Sequence, residues 1–149
     1  NTKNVHRSNF LLGHPYGTDF TYDEMMMTTI GDAGKAIAEG IATALKSANP
    51  FGEGPQPKPG EGPSAEEREA GFYDILFIGE YPDGKSIRAS VKGDRDPGYG
   101  STSKMIAESA LTLLEVDTPG GVVTPGAIMA KPLIERLTAN AGLEFALES

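Results

Sequence analysis

Residues 50–63 read PFGEGPQPKPGEGP, and nine of these fourteen are glycine or proline. Proline has no amide hydrogen and glycine loses the most conformational freedom on ordering, so no helix or strand can run through this stretch. Whatever regular structure the chain forms must close before it and start again after it. Two readings of the loop are open: a surface insertion without function, or a flap over a ligand.

The chain has 149 residues, 38% of them hydrophobic and 23% charged, which is the composition of a single globular domain covering residues 1–149. It contains no cysteine, which excludes disulfides, thiolate metal ligands and a cysteine nucleophile. Two histidines with no further ligand at metal spacing predict no metal site. Lys and Arg number 13 against 21 Asp and Glu, a net charge of -8, so no nucleic-acid partner is expected. The longest clear apolar run is Ile75-Leu76-Phe77-Ile78. That is far below the roughly 20 residues of a membrane span, so no stable membrane insertion and a cytoplasmic location are expected. The sequence opens on Asn1 with no basic and apolar leader, the expectation being a region excised from a longer chain.

Residues 5–12 and 20–29 carry apolar, aromatic and threonine residues around a turn cluster at residues 13–17, which predicts two extended segments. In the second of them Met25, Met26 and Met27 read as core, with an apolar contact patch as the alternative. Ala36, Ile37, Ile41, Ala44 and Leu45 fall on one helical stripe between Asp32 and Ala48, ended by Asn49-Pro50. Ser64 and Glu67 have capping-box spacing ahead of a short acidic helix.

Residues 72–81 are apolar on both alternating faces and read as a central strand covered on both sides. Pro82-Asp83-Gly84 turns the chain, and Ile87, Ala89 and Val91 alternate with polar residues as a half-exposed hairpin partner. Residues 101–116 predict an amphipathic helix with Met105, Ile106, Ala110, Leu113 and Leu114 on its apolar stripe. A short strand at residues 122–124, a helix from Pro125 to Asn140 capped by Gly142, and a final strand of Leu143, Phe145 and Leu147 complete the pattern. This order fits an α+β fold, with a mixed or antiparallel sheet and helices mainly on one face.

Two polar groupings have the chemistry of a binding cleft. In the first, His6, Arg7 and Asn9 lie close in sequence to His14 and Tyr16: histidine and tyrosine exchange protons, and arginine clamps carboxylates. The plain alternative is a set of hydrogen-bonded loop residues. In the second, a glycine-rich turn leads from a strand into a helix at Arg95, Tyr99, Ser101, Thr102 and Ser103, where a carboxylate or phosphate of a substrate could sit. Here the plain reading is helix capping by Ser101 or Thr102. The turn fails the P-loop pattern because Tyr99 follows Gly98, and Ser103 replaces the third glycine of the dinucleotide fingerprint. Asp94 with Asp96, and Glu66 with Glu67, read as solvent-facing carboxylates.

Three blocks, in order and spacing, resemble the C-terminal, substrate-side region of saccharopine dehydrogenase-like oxidoreductases, a group that includes trans-acting enoyl reductases of lipid and polyketide assembly. The first is Asn4-Val5-His6-Arg7-Ser8-Asn9 with Leu12-Gly13-His14-Pro15-Tyr16-Gly17. The second is residues 93–114, GDRDPGYGSTSKMIAESALTLL. The third is Gly120-Gly121-Val122-Val123-Thr124-Pro125 leading into LIERL at residues 133–137 and AGLEF at 141–145. The resemblance implies a parent enzyme with an N-terminal Rossmann domain that binds NAD or NADP, this region serving as substrate and homodimerisation domain. A small-molecule or acyl substrate is implied, with no cofactor bound by this region and no activity from it alone. His6, Arg7, Asn9, Tyr16, Arg95, Tyr99, Ser101 and Thr102 are the substrate-binding candidates, and no catalytic residue is assigned. A non-catalytic oligomerisation or small-ligand-binding module is the alternative.

Overall fold

The computed structural model describes residues 1–46 and 60–148. The Pro/Gly loop up to residue 59, its flap reading and the helix stop at Asn49-Pro50 lie outside the described residues. In chain order the elements are α1 (Thr2–Leu11), α2 (Asp32–Lys46), α3 (Ala65–Ala70), β1 (Tyr73–Glu80), β2 (Ser86–Gly93), α4 (Gly100–Glu115), α5 (Pro125–Ile128), α6 (Ala130–Asn140) and β3 (Leu143–Glu148). The fold is α+β around an antiparallel sheet ordered β1-β2-β3.

The hairpin pairs Tyr73 with Gly93 and Glu80 with Ser86, and it turns where the Gly84 amide donates to the Tyr81 carbonyl at 2.9 Å. On the other side of β2, Gly93 pairs with Leu143 and Arg88 with Glu148. The half-exposed partner strand is therefore the centre of the sheet, and β1, expected in the centre with both faces covered, is an edge strand exposed along most of its length. Residues alternate across a pleated sheet. One face gathers Tyr73, Ile75, Phe77, Ile87, Ala89, Val91, Leu143, Phe145 and Leu147 and carries no charge. The other carries Asp74, Glu80, Arg88, Lys92, Glu144 and Glu148.

α6 lies against one end of the uncharged face. Met129, Leu133, Leu137 and Ala141 recur every fourth residue along it and, with Leu143, form the buried core, against which Val91, Met105, Val116, Ile128 and Phe145 pack. The helix expected from Pro125 to Asn140 breaks at Met129 into α5 and α6, and Pro132 falls in the first turn of α6, where its missing amide leaves no bond unmade.

α4 lies within one residue of the boundaries its sequence predicts but is rotated from the expected stripe, of which Met105 alone packs on the core. Ser101 and Thr112 are fully buried, whereas Ile106 is 69% and Leu114 83% exposed. Small hydroxylated side chains permit this rotation because the helix satisfies them internally. Ser109 donates to the Met105 carbonyl and Thr112 to the Glu108 carbonyl, each at 2.7 Å, so little polar capacity is left unpaired on burial. Arg136 of α6 reaches Glu108 at 2.9 Å and Glu115 at 3.0 Å and so sets the antiparallel register of the two helices.

Three extended segments expected from the sequence have other conformations. Residues 2–11 are helical, residues 20–29 have no regular structure, and residues 122–124 form no strand. Met25, Met26 and Met27 are 85%, 73% and 80% exposed, so they are not core. α1 is held by distant partners: the Ser8 hydroxyl meets that of Thr124 at 2.7 Å, and Arg7 donates to the Val122 carbonyl at 2.9 Å.

Candidate functional site

The first polar grouping assembles around the C-terminal end of α1. Asn9 is 3% exposed; its amide nitrogen donates to the Gly17 carbonyl at 2.8 Å and its oxygen accepts the Tyr16 amide at 3.0 Å. Both ends of this side chain are occupied in shaping the turn at residues 13–17, which also places His14 in the left-handed region at φ 62. Around that turn His6 and Tyr16 each set a tilted ring against Phe20, at 5.5 Å and 5.3 Å between ring centroids. Arg7 lies over the Phe10 ring and is tied to the turn preceding α5. His6 and Tyr16 therefore meet at Phe20, Asn9 holds the turn that carries Tyr16, and Arg7 sits on Phe10, whose ring meets His14 edge-on. The Arg7 and Ser8 contacts join the first resembling block to the third.

The second grouping surrounds the start of α4. Its capping group is Asp96, whose carboxylate accepts the amides of Gly98 at 3.0 Å, Tyr99 at 2.9 Å and Gly100 at 2.6 Å. Asp96 is thus a capping group rather than a free solvent-facing carboxylate, and neither Ser101 nor Thr102 caps the helix. The Ser101 hydroxyl is fully buried against the Tyr73 hydroxyl at 2.8 Å, Thr102 turns back to the Pro97 carbonyl at 2.5 Å, and Tyr99 is exposed. Among the other acids, Glu67 completes the capping box with Ser64 and Asp94 lies 3.6 Å from Lys104.

The amide of Gly100, followed by that of Tyr99, holds the Asp96 carboxyl below its ordinary value of 3.8. A carboxyl depressed in the folded state stabilises the fold at and above that ordinary value, and the contribution is lost as pH falls through the lower folded value. Asp96→Asn, which loses one acceptor oxygen and the charge, is expected to lower the thermal midpoint at pH 7. The gap from the unsubstituted protein should close below pH 3.8. Thermal melts across pH 7 to 2 read this directly, and a gap that stays constant over that range would contradict it.

Arg95 lines a cleft of about 210 Å³ between α3 and the first turns of α4, together with Arg68, Glu69, Gly100, Ser103 and Lys104. Arg68 and Lys104 are side chains that sequence reasoning did not single out. The two groupings are not brought together. Lys104 meets Ala141 and Arg136 meets Glu115, so α6 runs antiparallel to α4, and α5, just before α6, packs on α1. His6, Arg7 and Tyr16 therefore lie toward the C-terminal end of α4 and the cleft lies at its N-terminal end, separated by a helix about 24 Å long at roughly 1.5 Å per residue.

Comparison with known proteins finds similarity to proteins named as enoyl reductases. The chain is 34% identical over 160 residues to a Mycobacterium tuberculosis protein that carries the name trans-acting enoyl reductase provisionally. It is 35% identical over 155 residues to a trans-acting enoyl reductase of Mycobacterium ulcerans, and 32% identical over 153 residues to one of Mycobacterium bovis. These alignments cover 92 to 93% of this chain but only 36 to 37% of each relative, so the chain spans little more than a third of their length. No family model and no solved structure matches it.

Proposed function

We propose that this chain is the substrate-binding and dimerising part of a trans-acting enoyl reductase of the saccharopine dehydrogenase-like class, with NAD or NADP held by a Rossmann domain outside these 149 residues. The observation that carries the reading is the identity to named enoyl reductases along 93% of the chain. The residues described here do not suit a dinucleotide: the sheet is wholly antiparallel, and Asp96 already takes the amides that open α4. Hydride chemistry belongs to the cofactor, and binding and orienting an enoyl or other acyl acceptor are left to this chain. His6, Arg7 and Tyr16 form the surface best suited to that task, since their polar atoms are presented on a framework fixed by Asn9 and by Val122 and Thr124.

The homodimer is supported by the uncharged sheet face. Ile75, Phe77, Ile87 and Leu147 remain substantially exposed beyond the end that α6 covers. A two-fold contact sets a patch against itself, so a face without charge buries no like-charge pair.

In the complete product of the gene, a short trans-2-enoyl thioester is expected to drive oxidation of NADH or NADPH. Arg7→Ala or His6→Ala should lower kcat/KM about tenfold, equal to about 1.4 kcal/mol of lost transition-state binding. If no nicotinamide is oxidised the reductase reading falls; if both variants match the unsubstituted protein, this surface is not the acceptor site.

A further inference from the structure

We infer that the cleft between α3 and α4 is a phosphate-binding subsite, in which Arg68, Arg95 and Lys104 take the anion with the Ser103 hydroxyl beside them. The chain carries a net charge of -8, yet three of its thirteen basic side chains line this one cleft, each from a different segment. Arg68 comes from α3, Arg95 from the loop after β2, and Lys104 from the second turn of α4.

Their present contacts leave donors over. Arg95 lies 3.4 Å from Glu69, and its Nε–H is buried with no acceptor among the described residues. Lys104 lies 3.6 Å from Asp94 and 3.4 Å from the Ala141 carbonyl. Charge-assisted hydrogen bonds are ordinarily about 2.7–2.9 Å, so both contacts are loose and their carboxylate partners, each more than half exposed, can swing aside. Only Arg68 makes a short bond, to the Pro63 carbonyl at 2.6 Å; among the described residues its guanidinium makes no other hydrogen bond, and it acts on the Asp96 and Glu66 carboxylates through charge alone. The dipole at the start of α4 is already met by Asp96, so the anion is recognised by side chains rather than by free helix amides.

Donors converging from three elements favour a tetrahedral group, whose oxygens point in several directions, over a planar carboxylate that one arginine fork can saturate. A space of about 210 Å³ amounts to roughly seven water volumes, enough for a phosphate with its remaining hydration. The anion is either free phosphate or a phosphate ester on a larger molecule. The inference does not depend on the reductase reading.

The test is an amide-resolved NMR titration of the 149-residue chain at constant ionic strength, with inorganic phosphate, methyl phosphate and chloride as separate probes. Saturable shifts confined to residues 65–69 and 95–104, with a Kd near or below about 1 mM for phosphate and none for chloride, are expected. Arg95→Gln and Arg68→Gln should each weaken binding about tenfold. Glu69→Gln, which releases Arg95, should tighten it, and Lys85→Gln on the distant hairpin turn should leave it unchanged. The dispersion of the same spectra verifies that every variant is folded. Methyl phosphate binding at least as tightly as phosphate shows that the subsite admits an ester, and phosphate binding alone identifies the free ion. Shifts that do not saturate, that chloride reproduces, or that survive both arginine substitutions overturn the subsite.

Discussion

Gly93→Ala is expected to destabilise the fold by about 3 kcal/mol, although on backbone grounds alone a strand gains about 0.5–1 kcal/mol when glycine becomes alanine. The reversal of sign comes from Tyr73. It pairs with Gly93 across the hairpin, and a Cβ on residue 93 would stand 2.2 Å from its ring. The ring cannot step aside cheaply, because its hydroxyl meets Ser101 at 2.8 Å and Ser101 is fully buried. Displacing it combines overpacking, about 1–3 kcal/mol, with an unpaired buried hydroxyl of similar cost. Urea unfolding of Gly93→Ala, Tyr73→Ala and the double variant separates the two effects. The glycine substitution should be costly beside Tyr73 and close to neutral once Tyr73 is alanine. An unchanged midpoint for the single variant would show that the ring has another place to go.

That one contact also marks the limit of what sequence alone conveys. The hairpin, the Ser64 and Glu67 capping box and the left-handed Gly142 are local devices, and each is legible because its partners lie within a few residues. Ser101 reads as a cap for the same local reason, but Tyr73, twenty-eight residues away, takes its hydroxyl and leaves Asp96 to hold the helix amides. α4 shows its period but not which face turns inward, since hydroxyls satisfied within their own helix make a polar face cheap to bury. Residues 2–11 lack a helical apolar stripe, and the bonds that fix them reach Val122 and Thr124, more than a hundred residues on. The first polar grouping could be anticipated because His6, Arg7, Asn9 and Tyr16 are neighbours in sequence. The cationic cleft could not, because Arg68 stands alone among acidic residues in a six-residue helix and meets Arg95 and Lys104 only through the fold.

Phe77→Glu is expected to weaken self-association of the chain at least a hundredfold, about 2.8 kcal/mol at 1.4 kcal/mol per tenfold. Phe77 is 42% exposed midway along the edge strand β1, on a sheet face that carries no charge on any of its three strands. In a two-fold contact the substitution enters twice, so two carboxylates are desolvated near one another with no cation on that face to pair them. The control is one residue away. Leu76 is 41% exposed on the opposite, charged face, so Leu76→Glu alters hydropathy and net charge by nearly the same amount and should leave association intact. Sedimentation velocity over a wide concentration range reads both. A monomeric unsubstituted chain, or equal effects from the two variants, would sink the homodimer on this face. Loss confined to Phe77→Glu would instead explain why a chain with so small a buried core keeps Ile75, Phe77, Ile87 and Leu147 at its surface: they complete their burial only against a second copy.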